Sequence, residues 1–389
     1  MVSLNPFIWT GAIEDSLSRQ PFTRRAVTTL KGGTHVALFG PRGTGKTTFL
    51  LELATEIGKE HGPDAPAWEL VTIDLRRAIS LSAFIGAVSD AFESHHSRSV
   101  RRRAKGAFSR AEKELGINLG VVRAGVRIGG RGELNEAEIL HRQLRALPDV
   151  ADRLVVAFDE FQRLSSCPGE PLSIIRSALM GPARTGSLAL LLTGSMRERL
   201  SLMLHTDTEP IWDQTLDLEL PDLDPGEFAG YVQHRFAASG RPIDDRAVEL
   251  LLELTSAHPK RTQHLAWHVW DRGEPSGAVE AEQVQEAFDD LVGSGAQGGD
   301  LARVIETLLA GGDSDVNEAR ALFLLSGGGP PGSRRSAQRY GLGGADATRR
   351  ALERLRARGL VAGTTGSWRV VDPLLAEWLR RNDPLRIEG

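Results

Sequence analysis

Eight residues, Gly40-Pro-Arg-Gly-Thr-Gly-Lys-Thr47, limit what this chain can fold into more than any other feature of it. They fit the pattern G-x-x-x-x-G-K-[ST]. The apolar run His35–Phe39 leads into them, and Leu50, Leu53 and Ile57 share one face of the helical pattern that follows. Glycines let backbone N–H groups turn inward and approach phosphate oxygens closely. Lys46 supplies a point charge to β- and γ-phosphates, Thr47 offers a hydroxyl to Mg2+, and the helix start adds the positive end of its dipole. Gly40, Pro41, Arg42, Gly43, Thr44, Gly45, Lys46, Thr47 and Thr48 are therefore the candidate phosphate-binding segment.

A strand–turn–helix of this kind needs a buried sheet around it, and the chain supplies one. HVALF, LVTID, RLVVAFD, LALLLTG and LDLEL are short apolar runs between roughly Phe22 and Pro221, separated by stretches of helical periodicity. Parallel strands buried on both faces read this way. The expected fold class is α/β, with a doubly wound parallel sheet. RLVVAFD ends at Asp159 and Glu160. Two carboxylates at the end of a buried strand are costly unless they serve something. Behind a phosphate loop, Asp159 suits Mg2+ and Glu160 suits the attacking water. LALLLTG leads to Thr193 and Ser195, either of which can offer a hydroxyl to the γ-phosphate or to that water.

With 389 residues, 41% hydrophobic and 25% charged, the chain is long enough for two or three domains of ordinary soluble composition. One cysteine, Cys167, excludes a disulfide framework within the chain and suits a reducing compartment. No signal-peptide pattern opens the sequence. Its longest apolar run, SLALLLTGSM, falls short of the roughly 18 residues a membrane span needs. A cytoplasmic location without membrane contact is expected. A boundary falls near Asp224, where Asp224 offers an N-cap, Pro225 a first helical position and Glu227 the glutamate of a capping box. Helical patterning continues to about Val292. GSGAQGGD then reads as a glycine-rich linker, and helices resume near Leu301. LVAG and SWRVV flank Thr364-Thr365-Gly366 as a hairpin.

Taken together these residues resemble the AAA+ superfamily of P-loop ATPases. They look most like its archaeal-type ATPases, which lie near the STAND signalling ATPases and the origin-initiator ATPases. The resemblance covers nearly the whole chain. It implies a nucleotide-binding core over residues 1–223 with a basic insertion at about 98–131, a helical lid over 224–293 and a winged helix domain over 299–389. Asn5-Pro6-Phe7 and Pro21-Phe-Thr-Arg-Arg25 look like the family's opening motif, with Arg24 where Gly is usual and Arg25 matching its Arg. TSAHPKRTQHLAWHV is similar to the lid motif around Pro259, which implies that Arg261, with Lys260 as alternate, reaches the γ-phosphate. The Gly-Arg that family members often carry before the fifth strand is replaced by Asp213-Gln214. An arginine finger there speeds phosphoryl transfer by roughly 10³–10⁵. Its loss implies slow hydrolysis, or a finger from Arg197 or Arg199. The implied cofactors are ATP and Mg2+, with ADP as product, and a homo-oligomer is compatible with the resemblance.

Charge is segregated along the chain. Arg98–Arg131 holds 10 basic and 2 acidic residues and Arg334–Arg358 holds 8 and 2, within a chain of net charge −4. Two surfaces that meet an anionic partner are expected. NEARALFLLSGG, SRRSAQRYGL and GADATRRALERLRARGL read as three helices, and with the hairpin they make a winged helix-turn-helix. Asp346 is expected to cap the third helix, and Ala351, Leu352 and Leu355 to face inward. Arg334, Arg335, Arg349, Arg350 and Arg354 are candidate contacts to double-stranded DNA. In the insertion, Val100, Ala104, Phe108, Ala111 and Leu115 suit an amphipathic helix, and INLGVVRAGVRIGG a hairpin carrying Arg123 and Arg127. The expected function is a slow ATPase that couples nucleotide state to DNA binding. Winged helices also dock proteins. The alternatives are accordingly a signalling or defence switch with a protein partner, and an ATP-binding scaffold that does not hydrolyse.

Overall fold

The computed structural model describes residues 4–10, 17–59, 67–115, 136–180, 186–272, 277–293, 296–363 and 367–383. It divides into two compact units. One, the sheet unit, comprises Ser18–Gly40 and Lys46–Pro221; the other, the helical unit, comprises Met1–Leu17, Pro41–Gly45 and Asp222–Gly389.

In the sheet unit, α1 (Gln20–Lys31), β1 (Val36–Phe39), α2 (Lys46–Lys59), β2 (Trp68–Asp74), α3 (Leu81–Glu93) and α4 (Arg98–Leu115) come first. They are followed by α5 (Glu136–Arg145), β3 (Arg153–Asp159), α6 (Pro171–Leu179), β4 (Leu188–Gly194), α7 (Arg197–His205) and β5 (Leu216–Glu219). The strands pair in the order β2-β3-β4-β1-β5, all parallel. Side chains alternate across the sheet as the period-2 geometry of a strand requires. Val36, Leu38, Val155, Ala157, Ala189 and Leu191 join the core under α1 and α2. Ala37, Phe39, Val156, Phe158, Leu190 and Leu192 join the core built from α3 to α7. That two-faced burial is why the sequence carries near-continuous apolar strands. Edge strand β5 buries only Leu218 of its four residues.

Parallel pairing puts the C-terminal ends of all five strands at one edge. The registers Asp74↔Asp159 and Phe39↔Gly194 bring the ends of β2, β3, β1 and β4 to the same level. The phosphate-loop sequence leaves the sheet at this edge.

In the helical unit, α8 (Pro225–Ala238), α9 (Asp245–Leu254), α10 (Pro259–Arg272) and α11 (Ala281–Val292) precede α12 (Ala296–Leu309). Then come α13 (Asp313–Ser326), α14 (Arg334–Arg339), α15 (Ala345–Ala357), the antiparallel pair β6 (Val361–Ala362) and β7 (Arg369–Val370), and α16 (Pro373–Arg381). From α13 to β7, three helices are followed by a two-stranded antiparallel pair, the element order expected from the sequence. Asp224 caps α8 by accepting from the Glu227 N–H, with Pro225 at the first helical position. Residues before the sheet belong here: Phe7 is buried with its ring centroid 4.6 Å from that of Phe236. The Asn5 side chain donates to the Trp267 carbonyl.

Two local expectations are corrected. The glycine-rich stretch after Val292 is not wholly a linker, because α12 begins at Ala296. Leu301, Ile305 and Leu308 are buried on one face of that helix. Asp346 is not the cap of α15. Gly344 holds that position at φ 128°, where a side chain is strained, and Asp346 lies inside the first turn. There it favours the helix dipole instead. Ala351, Leu352 and Leu355 are buried as expected, and so are Val100, Ala104 and Phe108 of α4. INLGVVRAGVRIGG and Thr364–Gly366 lie outside the described residues.

Candidate functional site

The candidate site lies at the edge of the sheet unit. Lys46 opens α2, is buried, and donates from Nζ to the Gly40 carbonyl at 2.7 Å. A buried ammonium curled over its own loop carbonyl is pre-placed for an anion. Gly43 and Gly45 adopt φ of 82° and 94°, values that side chains resist.

Asp159 is 4% exposed at the end of β3. Its Oδ2 accepts from the Thr47 hydroxyl at 3.1 Å, and its Oδ1 from the Thr193 hydroxyl at 2.5 Å and the Glu160 N–H at 3.1 Å. These contacts join the ends of β3 and β4 to the start of α2. A hydroxyl and a carboxylate are hard oxygen donors, and so small a protein ligand set suits Mg2+, which keeps waters and takes substrate phosphates. Thr47 and Asp159 fit that ion.

Glu160 is half-buried and sits in the left-handed region at φ 58°, ψ 41°. A non-glycine residue there stores of order 1–3 kcal/mol of strain, a pattern found at functional sites. Its Oε2 accepts from the Ser195 hydroxyl at 2.9 Å and from Nε2 of Gln162 at 2.5 Å. The two hydroxyls at the end of β4 thus bond different carboxylates. Thr193 serves Asp159, and Ser195 serves Glu160.

Gln162 escaped the sequence reading, as did Arg76. Gln162 is 1% exposed in a 3-10 turn, Phe161–Ser166, directly after Glu160. Arg76 follows β2 and grips Asp74 with Nε at 3.0 and 2.8 Å. Its hydrogen bonds to Asp74 raise its affinity for its proton, with a smaller contribution from the charges of Asp159 and Glu160. The available signal was position alone: both lie within three residues of a strand end. Gly194 is explained by Gln162. A Cβ at Gly194 would stand 2.4 Å from the Gln162 Oε1 and 3.0 Å from a Leu200 methyl. Gly194→Ala is expected to cost about 1–3 kcal/mol, read as a lower urea midpoint with an unchanged m-value.

The helical unit holds a second group of sequence-flagged residues. Pro259 starts α10. The Lys260 N–H donates to the Gly43 carbonyl at 3.2 Å, and the His258 ring contacts the Arg42 carbonyl at 3.1 Å. A cavity of about 390 Å³ is lined by Trp9, Arg42, His258, Lys260, Arg261 and Asp372, among others. Burial, then the neighbouring charges of Arg261 and Arg42, push the Lys260 ammonium below its ordinary pKa. Three cations crowded around one carboxylate favour an anionic guest. Arg261 does not point freely into this space. Its guanidinium bonds the Asp372 carboxylate through Nε at 2.8 and 2.9 Å and also through Nη2. Asp372 is at the same time the N-cap of α16.

Other flagged residues lie apart. Arg24 and Arg25 are exposed on α1, whose buried face is Thr23, Ala26, Val27 and Leu30. Arg197 pairs with Glu219 at 2.8 Å and lies over the Phe39 ring, while Arg199 is exposed. Asp213, in the place of the family's Gly, has φ 53°. On α15, Arg354 is spent on Glu318, which is fully buried and also paired with Arg358. Arg349 stands 3.5 Å from Asp346 and from Glu353. Arg334, Arg335 and Arg350 are exposed and form no ion pair among the described residues.

Comparison with known proteins agrees with the fold. The family profile described as AAA domain matches residues 29–202. No curated protein sequence matches the chain. Among solved structures, the Walker-type ATPase PABY2304 of Pyrococcus abyssi superposes with a TM-score of 0.66 at 17% identity, covering 95% of this chain and 97% of that one. The ORC2 protein of Aeropyrum pernix, solved as ADPNP–ADP complexes, superposes with a TM-score of 0.60 at 16% identity over 97% and 96% of the two chains. At such identities the likeness concerns the fold. No helix among the described residues is long and apolar enough to cross a membrane.

Proposed function

We propose that this chain, a P-loop ATPase of the AAA+ type through the AAA domain at residues 29–202, hydrolyses Mg-ATP slowly and uses its nucleotide state to set how its winged helix binds duplex DNA. The observation that carries the ATPase half is Asp159, whose two oxygens are held by Thr47 and Thr193 while Glu160 stands next to it. Lys46 and the N–H groups of the loop hold the phosphates. Thr47 and Asp159 hold Mg2+, which neutralises charge developing on the phosphates. Glu160 orients the water. Arg42, Lys260 and Arg261 surround a cavity suited to an anion, which supports a cationic role for Arg261 toward the nucleotide. Solved complexes of the Aeropyrum protein with ADPNP and ADP support the choice of nucleotide.

Slow turnover is supported by Asp213-Gln214 in place of an arginine finger, and by Arg197 being held by Glu219. The proposed setting is cytoplasmic, with self-association open to test by light scattering.

Arg261 is held by Asp372 in the present conformation, so Asp372 competes with the nucleotide for it. Asp372→Asn keeps an N-cap acceptor but drops the charge. It is expected to tighten ATP binding roughly 5-fold or more, measured by isothermal titration. An unchanged Kd would remove Arg261 from the nucleotide's contacts.

For DNA, Arg334, Arg335 and Arg350 are the usable cations, and Arg354 is structural. Labelled duplex is titrated across a salt series with ATP, with ADP and without nucleotide. Each lost phosphate contact is expected to flatten the log K against log salt slope by about 0.9. Neutralising Arg334, Arg335 and Arg350 together should therefore flatten it by nearly three times that. The internal pairing of Arg349 and Arg354 thins the basic face and favours one rival reading, a winged helix that docks a protein. Absence of duplex binding at physiological salt would decide for it.

A further inference from the structure

We infer that Gln162 and Ser195 are positioning residues for Glu160: together they occupy one of its carboxylate oxygens and leave the other to the attacking water. The inference rests on the reading of Glu160 as the residue that orients that water. Nε2 of Gln162 and the Ser195 hydroxyl both donate to Oε2, at 2.5 and 2.9 Å. A carboxylate oxygen offers two lone pairs, so these donors fill Oε2. Among the described residues, no hydrogen bond reaches Oε1.

The orientation of the Gln162 amide is chemically determined. An ionised carboxylate only accepts, so the amide nitrogen must face it. The same nitrogen stands 3.4 Å from the Ser195 hydroxyl, which closes the three side chains into one cluster. The opposite end of the amide, Oε1, is buried with no partner among the described residues. It rests against Gly194, where any Cβ would collide with it. A leucine or methionine would fill this space without an orphaned acceptor, so packing does not account for a glutamine here. Its bond to Glu160 does.

The backbone delivers the arrangement. Glu160 turns through the left-handed region, its carbonyl accepts from the Arg163 N–H at 2.9 Å, and buried Phe161 and Leu164 pin the turn. That brings Gln162 back beneath the strand end. Ser195 arrives from β4, whose register against β1 fixes its height. Donors from two strand ends thus meet on a single oxygen.

The test compares steady-state and single-turnover hydrolysis in the full chain carrying Gln162→Met, Ser195→Ala, Ser195→Thr, Glu160→Gln and the double substitution of Glu160→Gln with Gln162→Met. Gln162→Met and Ser195→Ala are each expected to lower kcat by about 10- to 100-fold while KM and the Kd for ATP stay within about twofold. Ser195→Thr, which keeps the hydroxyl, should restore kcat to within about threefold of the parent. On a Glu160→Gln background, Gln162→Met should cause no further loss, since both act through one carboxylate. A parental kcat in Gln162→Met, or a loss that multiplies fully with Glu160→Gln, overturns the inference. Should Gln162→Met fail to give a cooperative thermal transition, the contrast between Ser195→Ala and Ser195→Thr decides. If Glu160→Gln itself turns over ATP at the parental rate, the assignment of Glu160 falls, and this inference with it.

Discussion

Lys46→Ala is expected to weaken Mg-ATP binding about 100-fold or more. The ammonium is buried at 6% exposure, 2.7 Å from the Gly40 carbonyl. A charge in that setting is poorly screened, so its contact with phosphate oxygens exceeds that of a surface lysine. A charge-assisted hydrogen bond contributes about 1.5–3 kcal/mol. At about 1.4 kcal/mol per tenfold, that bond alone accounts for roughly one to two decades of affinity. Loss of its Coulomb attraction to the phosphates carries the effect further. Lys46→Arg does not rescue, because the guanidinium fork is larger than a compact point charge and Lys46 is buried. The measurement is isothermal titration, paired with thermal unfolding. At ATP a hundredfold above Kd, ligation stabilises the parent by about 2.7 kcal/mol, and Lys46→Ala should lose that shift while its nucleotide-free midpoint changes little. A Kd within threefold of the parent would show that the loop does not hold the triphosphate, and the functional account would end there.

This result would bear on the part of the molecule that was most legible in the sequence. The loop, Asp159 and Glu160, and the five strands each depend on residues adjacent in the chain, where spacing and period-2 apolarity carry the information directly. Contacts that unite distant residues were not legible. Thr193 and Ser195 were recognised as polar residues at a strand end, yet only the sheet order β3-β4-β1 assigns one to Asp159 and the other to Glu160. Arg261 was read as a cation near a phosphate, and its bond to Asp372 spans 111 positions. Arg354 looked like a DNA contact because its position on α15 lies outside the apolar stripe. Glu318, 36 positions earlier and fully buried, takes its charge instead. Arginine-rich composition reports charge, while pairing is a tertiary property. The capping of α15 shows the same limit at short range. Asp346 has the chemistry of a cap, but Gly344 has the backbone freedom the chain requires there.

Glu160→Gln is expected to lower turnover about 10²- to 10⁴-fold, the range associated with losing a general base or water-orienting group, while ATP and Mg2+ still bind. The glutamine amide oxygen can accept from both Gln162 and Ser195, so the cluster closes around it unchanged. What remains facing the site is then an NH2 group. It donates where a carboxylate oxygen would accept, and the water loses the acceptor that aligns it for in-line attack. Asp159 keeps its three donors in this variant, so the metal side is untouched. That separates it from Asp159→Asn, which should lose Mg2+ affinity and turnover together. The variant also serves the coupling question. Trapped with ATP, it should show the duplex affinity of the ATP state without decay toward the ADP state, because linkage depends on which nucleotide is bound and not on its hydrolysis. Quenched-flow or overnight radiolabelled turnover reads the rate, and titration reads the affinity. An unchanged rate would mean that the chain does not use this carboxylate for hydrolysis and would favour a nucleotide-binding scaffold. A lost rate with intact binding places the chemistry at the end of β3.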